Sequence, residues 1–120
     1  MAKHIELGKK GEEVARIYLQ NKGFKILHTN WRFGKDEIDI IAKDGDFLVI
    51  VEVKTLSSNF FVEPEFAVNK RKQGFLIRAA NSYIFNVDYF GETRFDIVSI
   101  ILTPKEEHIH HIEDAFYPLA

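Results

Sequence analysis

The sequence predicts an α/β fold in which helices flank a mixed central sheet. Three features predict it: an amphipathic helical stretch at the N-terminus, two apolar strand-like runs joined by an Asp-Gly turn, and a later helical stretch leading into a β-branched run. A chain of 120 residues is also too short to give each half its own core. We therefore expect residues 1–120 to form a single domain.

The first half of the chain predicts one helix and three strands. Residues 5–22 carry apolar side chains at helical spacing, and Gly23 is a natural stop. Strands are expected over residues 24–33, 37–43 and 47–54. Asp44-Gly45 is a strong hairpin signal between the last two. The third strand is apolar almost throughout, which is typical of a central strand covered on both faces.

The second half predicts a loop over residues 56–63 and a long helix to about Asn86. Pro64 suits the first helical turn, and Asn69 is an alternative N-cap. The remaining segments are expected to be a strand over 93–102, a short edge strand over 108–113 and a tail, 114–120, pinned by Phe116 and Tyr117. We expect the first three strands to form a meander, with the long helix crossing over to bring the fourth strand beside the central one.

Composition restricts the classes of function. A formal net charge of −2 argues against a basic protein that coats nucleic acid non-specifically. The lack of cysteine excludes disulfides, thiolate zinc sites and a cysteine nucleophile. No apolar run reaches the roughly 20 residues that span a bilayer, and the polar N-terminus lacks the apolar core of a signal peptide. We expect a cytoplasmic protein with no membrane partner.

Charged side chains are set into the facing ends of the predicted hairpin. Asp39 lies near the start of one strand, and Glu52 and Lys54 lie near the end of the next, so the three should meet at one edge. Two carboxylates, with the Val53 carbonyl as a further oxygen, are ligands that Mg²⁺ prefers. Lys54 could orient a water or stabilise a phosphate. A salt bridge between Lys54 and a carboxylate explains the same spacing, and the residues alone leave both interpretations open.

The first helix offers one more acid to this edge. At about 100° per residue, Glu12 falls at the border of the apolar arc, whereas Glu13 points to the solvated side. Glu12 is therefore the glutamate that could reach an interior site, as a metal ligand or through water. Two solvated surface acids are the alternative.

Other polar residues are weaker candidates. Nucleic-acid contacts are assigned to Lys70, Arg71, Lys72 and Gln73 at the opening of the long helix, with a solvated helix face as the alternative. Trp31 and Arg32 could stack on a base, although a Trp on a sheet beside the first helix is more often in the core. Surface positions are expected for His108, His110 and His111. Asp96 is expected to be a structural partner of a nearby base.

Taken together, these residues resemble a nuclease motif. Asp39, followed thirteen residues later by Glu52-Val53-Lys54, looks like the PD-(D/E)xK motif. More closely, the chain resembles the bacterial YraN-like family, which is similar to archaeal Holliday junction resolvases. The matching segments are Gly8-x-x-Gly11-Glu12, Gly23-Phe24, Asn30-Trp31-Arg32, Glu37-Ile38-Asp39, Val51-Glu52-Val53-Lys54, Lys72-Gln73, Ala79-Ala80, Arg94-Phe95-Asp96 and Ile112-Glu113-Asp114-Ala115-Phe116.

The resemblance implies a restriction-endonuclease-like αβββαβ core and an Mg²⁺- or Mn²⁺-dependent DNA endonuclease that acts on branched or repair intermediates. By similarity, the nuclease positions are Glu12, Asp39, Glu52 and Lys54. DNA is the implied partner, and cutting a junction would suggest a homodimer. The alternative is a non-catalytic nucleic-acid-binding or protein-interaction module on the same fold. Two departures from the family pattern bear on this choice, because Asp36 replaces a frequent Gly and Leu56 replaces a frequent Arg.

Overall fold

A computed structural model describes residues 2–57 and 68–118 of the protein. The elements in chain order are α1 (Ala2–Asn21), β1 (Lys25–Phe33), β2 (Asp36–Asp44), β3 (Phe47–Leu56), α2 (Lys70–Val87), β4 (Glu92–Leu102) and β5 (Glu107–Phe116). The strands form one sheet in the order β1–β2–β3–β4–β5. β3 and β4 are parallel, and the other neighbours are antiparallel. The predicted mixed sheet, meander and crossover beside the central strand are confirmed.

Each helix covers one face of the sheet and packs on the apolar side chains that the strands direct to that face. On one face, Leu19 of α1 packs in a core that includes Val51. On the other face, Leu76 of α2 packs in a core that includes Ile50. β3 therefore has buried apolar side chains on both sides, as its sequence predicts. Neither described helix combines the length and the apolarity needed to cross a membrane.

The start of α2 confirms the alternative N-cap. The Lys72 N–H donates to Asn69 Oδ1 at 2.9 Å, and the helix runs from Lys70 to Val87. This bond satisfies one of the free N–H groups of the first turn. Leu56 still belongs to β3, whereas the rest of the expected loop from residue 58 onward, and the expected helical turn at Pro64, lie outside the described residues.

The C-terminal strand is longer than its sequence predicts. β5 takes in Asp114 and Phe116, which were expected in a tail. The Asp114 N–H donates to Asp96 Oδ1 at 3.0 Å, and the Phe116 ring stacks on Phe95 with centroids 5.0 Å apart. The anchoring of Phe116 is confirmed, but that of Tyr117 is wrong, since this side chain is 65% exposed. These contacts are made with residues distant in sequence, so the local sequence does not predict that β5 extends to Phe116.

Candidate active site

The antiparallel pairing of β2 with β3 does not extend to Asp39, the predicted acidic residue of β2. Its last pair is Ile40 with Val51. Beyond it, the Val53 N–H donates to Asp39 Oδ2 at 2.8 Å, so a side chain takes the place of a backbone acceptor. Ile38 belongs to the core under α2 and Ile40 to the core under α1, which shows that the alternation is broken at Asp39. The two strands therefore separate here and hold a carboxylate in the opening.

Glu52 lies at this opening on the side of α2. It is only 4% exposed, although it carries a carboxylate. Its Oε2 is 3.8 Å from Lys54 Nζ and 3.7 Å from Lys72 Nζ, which are ion-pair distances but too long for direct hydrogen bonds. Its Oε1 is buried and has no hydrogen-bond partner among the described residues. A buried oxygen without a hydrogen-bond partner costs free energy, and a bound cation or a proton would remove that cost.

The two carboxyl groups of the opening are coupled. Burial, followed by the charge of the neighbouring Glu52, raises the pKa of Asp39 to about 8. The Val53 N–H and the Lys72 ammonium group lower this pKa but do not outweigh the repulsion. Two adjacent carboxyl groups of this kind tend to share one proton near neutral pH, and a bound cation can take the place of that proton.

The α1 helix brings Glu12 to the other side of Asp39. Burial first, and then the nearby charge of Asp39, raise the pKa of Glu12, while a hydrogen bond from Asn30 Nδ2 at 2.9 Å lowers it. Glu12, Asn30 and Asp39 line a cleft of about 230 Å³. Glu13 lines the same cleft, but it pairs with Arg16 on the same helix and is solvent-exposed. The structure thus brings Glu12, rather than Glu13, towards Asp39.

Gly11 and Asn30 position Glu12, although the sequence alone assigned neither of them a role. A Cβ atom on Gly11 would overlap Thr55 Oγ1, so only glycine lets α1 approach the end of β3 this closely. Asn30 has a φ of 51°, a left-handed conformation that Asn adopts more readily than most residues. The registered pairs on either side of it place Asn30 opposite Asp39. The family match includes both residues, but only the packing shows what they do.

The N-terminal turn of α2 supplies an unexpected member of the site. Lys72 was predicted to contact nucleic acid, yet its Nζ lies near Glu52 and 5.0 Å from the centre of the Phe75 ring. The Gln73 side chain donates to Val68 O at 3.0 Å and so helps to fix the start of the helix. Lys70 and Arg71 are exposed on the same turn. The N-cap at Asn69 shows where the helix begins, but the approach of Lys72 to Glu52 follows from the packing of α2 on the sheet.

A second cleft, of about 430 Å³, adjoins the acidic pair along α2. Its lining residues are Asp36, Asn69, Arg71, Lys72, Phe75 and Arg78. Three of these are basic, and Lys72 is shared with the neighbourhood of Glu52. Asp36, one of the departures from the family pattern, places a negative charge in the same cleft. The lining therefore has more positive than negative charges, and one of its lysines also lies near Glu52.

Asp96 belongs to a separate, buried polar cluster. It accepts hydrogen bonds from Arg94 Nε at 2.8 Å and from the Asp114 N–H at 3.0 Å, and it lies 2.7 Å from His111 Nε2. Burial raises the pKa of Asp96, but these bonds outweigh it and hold the pKa below its usual value. The predicted structural role of Asp96 is confirmed. The predicted surface position of His111 is wrong, because Tyr18 and Asp96 enclose a side chain that is 2% exposed.

The remaining candidates behave as the core and surface alternatives predicted. The Trp31 ring packs edge-on against Tyr83 at 5.4 Å, so it belongs to the core, although under α2 rather than beside the first helix. His108 and His110 are exposed. Within residues 2–57 and 68–118, no three His, Cys, Asp or Glu side chains are close enough together to hold a metal ion. A cation at the opening would rest on two carboxylates plus backbone or water oxygens, as Mg²⁺ commonly does.

Fold and site define a class: mixed-sheet α/β proteins with a partly buried pair of carboxylates and nearby lysines where two strands separate. The model of the family described as "Uncharacterised protein family UPF0102" matches residues 11–100. A UPF0102 protein of Flavobacterium psychrophilum is 50% identical over 117 residues, 98% of either chain. One from Thermodesulfovibrio yellowstonii is 48% identical over 113 residues, 94% of this chain and 97% of its own. The chain belongs to the UPF0102 family, which confirms the YraN-like resemblance.

Proposed function

We propose that the protein is a metal-dependent DNA endonuclease of the PD-(D/E)xK superfamily. The observation that carries the proposal is the pair of a half-buried Asp39 and a buried Glu52, with a Glu52 oxygen that no described residue satisfies. Lys54 beside Glu52 completes the motif. The order α1–β1–β2–β3–α2–β4 also corresponds to the αβββαβ order of a restriction-endonuclease-like core.

The oxygens at the opening fit a hard divalent cation, Mg²⁺ or Mn²⁺. Asp39 and Glu52 supply the carboxylates that such ions prefer. The N–H and C=O of a strand residue point to the same side, so the Val53 carbonyl faces the opening into which its N–H donates. A cation would offset the repulsion that raises the pKa of Asp39. Glu12 does not lie close enough to both carboxylates to be a third direct ligand, so it would take part through a water held in the cleft.

The lysines of the site would handle the water and the phosphate. When bound, the cation lowers the pKa of a coordinated water and offsets negative charge on the phosphodiester. Lys54, 3.8 Å from Glu52, would orient the water or stabilise the developing charge. Lys72, on the same carboxylate oxygen, would add a second positive charge from α2. Burial of Glu52 strengthens each of these interactions, because the surroundings screen charge poorly.

The first turn of α2 would bind the DNA. Lys70, Arg71 and Lys72 would contact phosphates, which position a substrate without reading its sequence. The Gln73 side chain already donates a hydrogen bond to Val68 O, so it would contribute by holding this turn in place. Branched or repair-intermediate DNA is the proposed substrate, and a homodimer would present two sites to the two strands of a junction.

A non-catalytic nucleic-acid-binding or protein-interaction module is the second candidate. The observation that favours it is Asp36, which lines the same cleft as Arg71 and Arg78 and repels phosphate. Leu56, at the end of β3, adds no positive charge where the family often has Arg. The net charge of −2 points in the same direction.

The deciding experiment is a cleavage assay on linear, flapped and four-way DNA with Mg²⁺ or Mn²⁺. Glu52→Gln and Lys54→Met keep the side-chain shapes and are expected to abolish cleavage. Glu107→Gln and Lys105→Met, exposed at or next to the far edge of the sheet, are the matched controls and should cleave normally. Cleavage that persists in both site variants would indicate a contaminant. DNA binding without cleavage on any substrate would favour the binding module.

A further inference from the structure

The C-terminal end of α2 exposes aromatic side chains that the candidate active site does not use. Phe85 is 84% exposed and Phe90 is 92% exposed, with Val87 between them at 48%. All three lie in the last turn of α2 or in the turn that follows, and together we name them the apolar tip. Large apolar side chains exposed next to one another commonly mark an interaction surface.

The chain that carries the apolar tip is firmly held. Asp88 ends α2 in the left-handed conformation, with a φ of 52°, and its N–H donates to Ile84 O. The Tyr89 N–H donates to the same carbonyl at 3.2 Å. The Tyr89 hydroxyl lies 2.8 Å from Asp46 O and 2.6 Å from Glu92 O, which ties the turn to the β2–β3 hairpin. The rings are thus presented on an ordered support, which lowers the entropy cost of docking.

Carboxylates surround the apolar tip. Asp46, Asp88 and Glu92 are all exposed around the turn that carries Phe90. Lys43 also lies here, with its Nζ 3.4 Å from Asp46 O and 4.8 Å from the centre of the Tyr89 ring, so the carboxylates outnumber it. An apolar centre with an acidic rim complements a surface that has an apolar centre and a basic rim.

We propose that the apolar tip docks a partner protein through a lysine- or arginine-rich amphipathic segment of that partner. Apolar side chains of the segment cover Phe85 and Phe90, and its cations pair with Asp88 and Glu92. This docking is additional to the proposed nuclease activity and does not depend on it. β3 begins at Phe47 on the side of the tip and reaches Glu52 roughly 17 Å further along, so a docked partner leaves the candidate active site open.

The test uses two fluorescent amphipathic peptides, one of leucine and lysine and one of leucine and glutamate, titrated with the full chain and followed by anisotropy. The lysine peptide is expected to bind and the glutamate peptide is not. Phe85→Ser with Phe90→Ser, and separately Asp88→Asn with Glu92→Gln, should each weaken binding about tenfold or more. Asn keeps the left-handed conformation at position 88. Ile17→Ser with Tyr117→Ser removes exposed apolar groups elsewhere and should change nothing.

Three results would overturn the proposal. The first is a lysine peptide that fails to bind the wild-type protein. The second is binding that is equal in the wild type and both tip variants, or that falls equally in the Ile17 and Tyr117 control. The third is self-association in sedimentation that the tip variants abolish, because the apolar tip would then be a contact between copies of this chain. Thermal melting of every variant checks that these exposed substitutions leave the fold intact.

Discussion

The carboxyl groups of Asp39 and Glu52 are neighbours whose negative charges repel each other, yet they are held in different ways. Asp39 accepts the Val53 N–H at 2.8 Å, whereas Glu52 has one oxygen near two lysines and one with no hydrogen-bond partner among the described residues. Repulsion between the two groups therefore stays in the folded state until a proton or a cation offsets it. The first two predictions follow from this pair.

In the absence of metal, the protein should lose stability as the pH rises. The pKa of Asp39 is about 8 in the folded chain and has an ordinary value of 3.8, so the folded state holds the extra proton. The stability that this proton contributes is complete below about pH 4 and is lost as the pH rises through about 8. Urea unfolding in EDTA should show the free energy of unfolding falling by a few kcal/mol across this range.

Asp39→Asn tests the origin of that pH dependence. The amide oxygen can still accept the Val53 N–H, while the titrating group is gone. The variant should show a much flatter profile and exceed the wild type in stability at the alkaline end. A variant whose profile parallels that of the wild type would show that another group causes the slope.

Mg²⁺ or Mn²⁺ should stabilise the wild-type protein in a saturable way. A ligand that binds only the folded state at about 100 times its dissociation constant adds about 2.7 kcal/mol. The gain should be larger at alkaline pH, because the cation competes with the shared proton. Glu52→Gln should abolish it and Glu107→Gln should not. Melting curves at matched ionic strength measure this, and a gain that survives Glu52→Gln would place the ion elsewhere.

Local patterns in the sequence were sufficient to predict most of the fold. The Asp44-Gly45 turn and the apolar run after it located the β2–β3 hairpin, and a crossover beside the central strand followed from connection rules. Long-range contacts were not predictable. Phe116 extends β5 by stacking on Phe95, and Tyr18 and Asp96 bury the side chain of His111.

The candidate site was predictable only as far as strand geometry reaches. Alternation and hairpin pairing were enough to bring Asp39, Glu52 and Lys54 to one edge, and the helix wheel favoured Glu12 over Glu13. The approach of Lys72 to Glu52 depends on where α2 begins and how it packs, which no periodicity encodes. The same is true of the hydrogen bond from Asn30 to Glu12, since it needs a left-handed residue within a strand.

Gly11→Ala should destabilise the protein and disturb the site. The new Cβ would overlap Thr55 Oγ1, and overpacking of this kind typically costs about 1–3 kcal/mol. Gly8→Ala is the matched control, because a Cβ there meets nothing within 4 Å. It should stabilise the helix by about 0.5–1 kcal/mol. Thr55→Ala should partly restore the Gly11→Ala variant. Urea unfolding measures all three, and equal behaviour of the two alanines would contradict the close approach of α1 to β3.

Asp96→Asn should be among the most destabilising conservative changes. It leaves His111 without its buried carboxylate and removes one of the three carboxylate partners of Arg94, and breaking a buried pair costs about 3–5 kcal/mol. Because the pKa of Asp96 is lowered, its contribution is present above the ordinary pKa and is lost as the pH falls through the lowered one. The variant should therefore lose the acid limb of the stability profile, opposite to Asp39→Asn. A cost no larger than that of the exposed Glu107→Gln would contradict this.

Substitution of Arg71 and Arg78 should weaken DNA binding by removing positive charge that faces the phosphates. Both line the cleft that Lys72 joins to Glu52, so a strand bound there lies beside the carboxylate pair. In a Glu52→Gln background, where no cleavage is expected, the double alanine variant should bind labelled oligonucleotides more weakly whatever their sequence. The slope of log affinity against log salt should become shallower by about 0.9 for each phosphate that the variant no longer neutralises. Lys25→Ala with Lys105→Ala removes two exposed charges elsewhere and should keep both affinity and slope. If the control weakens binding as much as the cleft variant does, binding follows net charge rather than the cleft, and the path of the DNA along α2 is wrong.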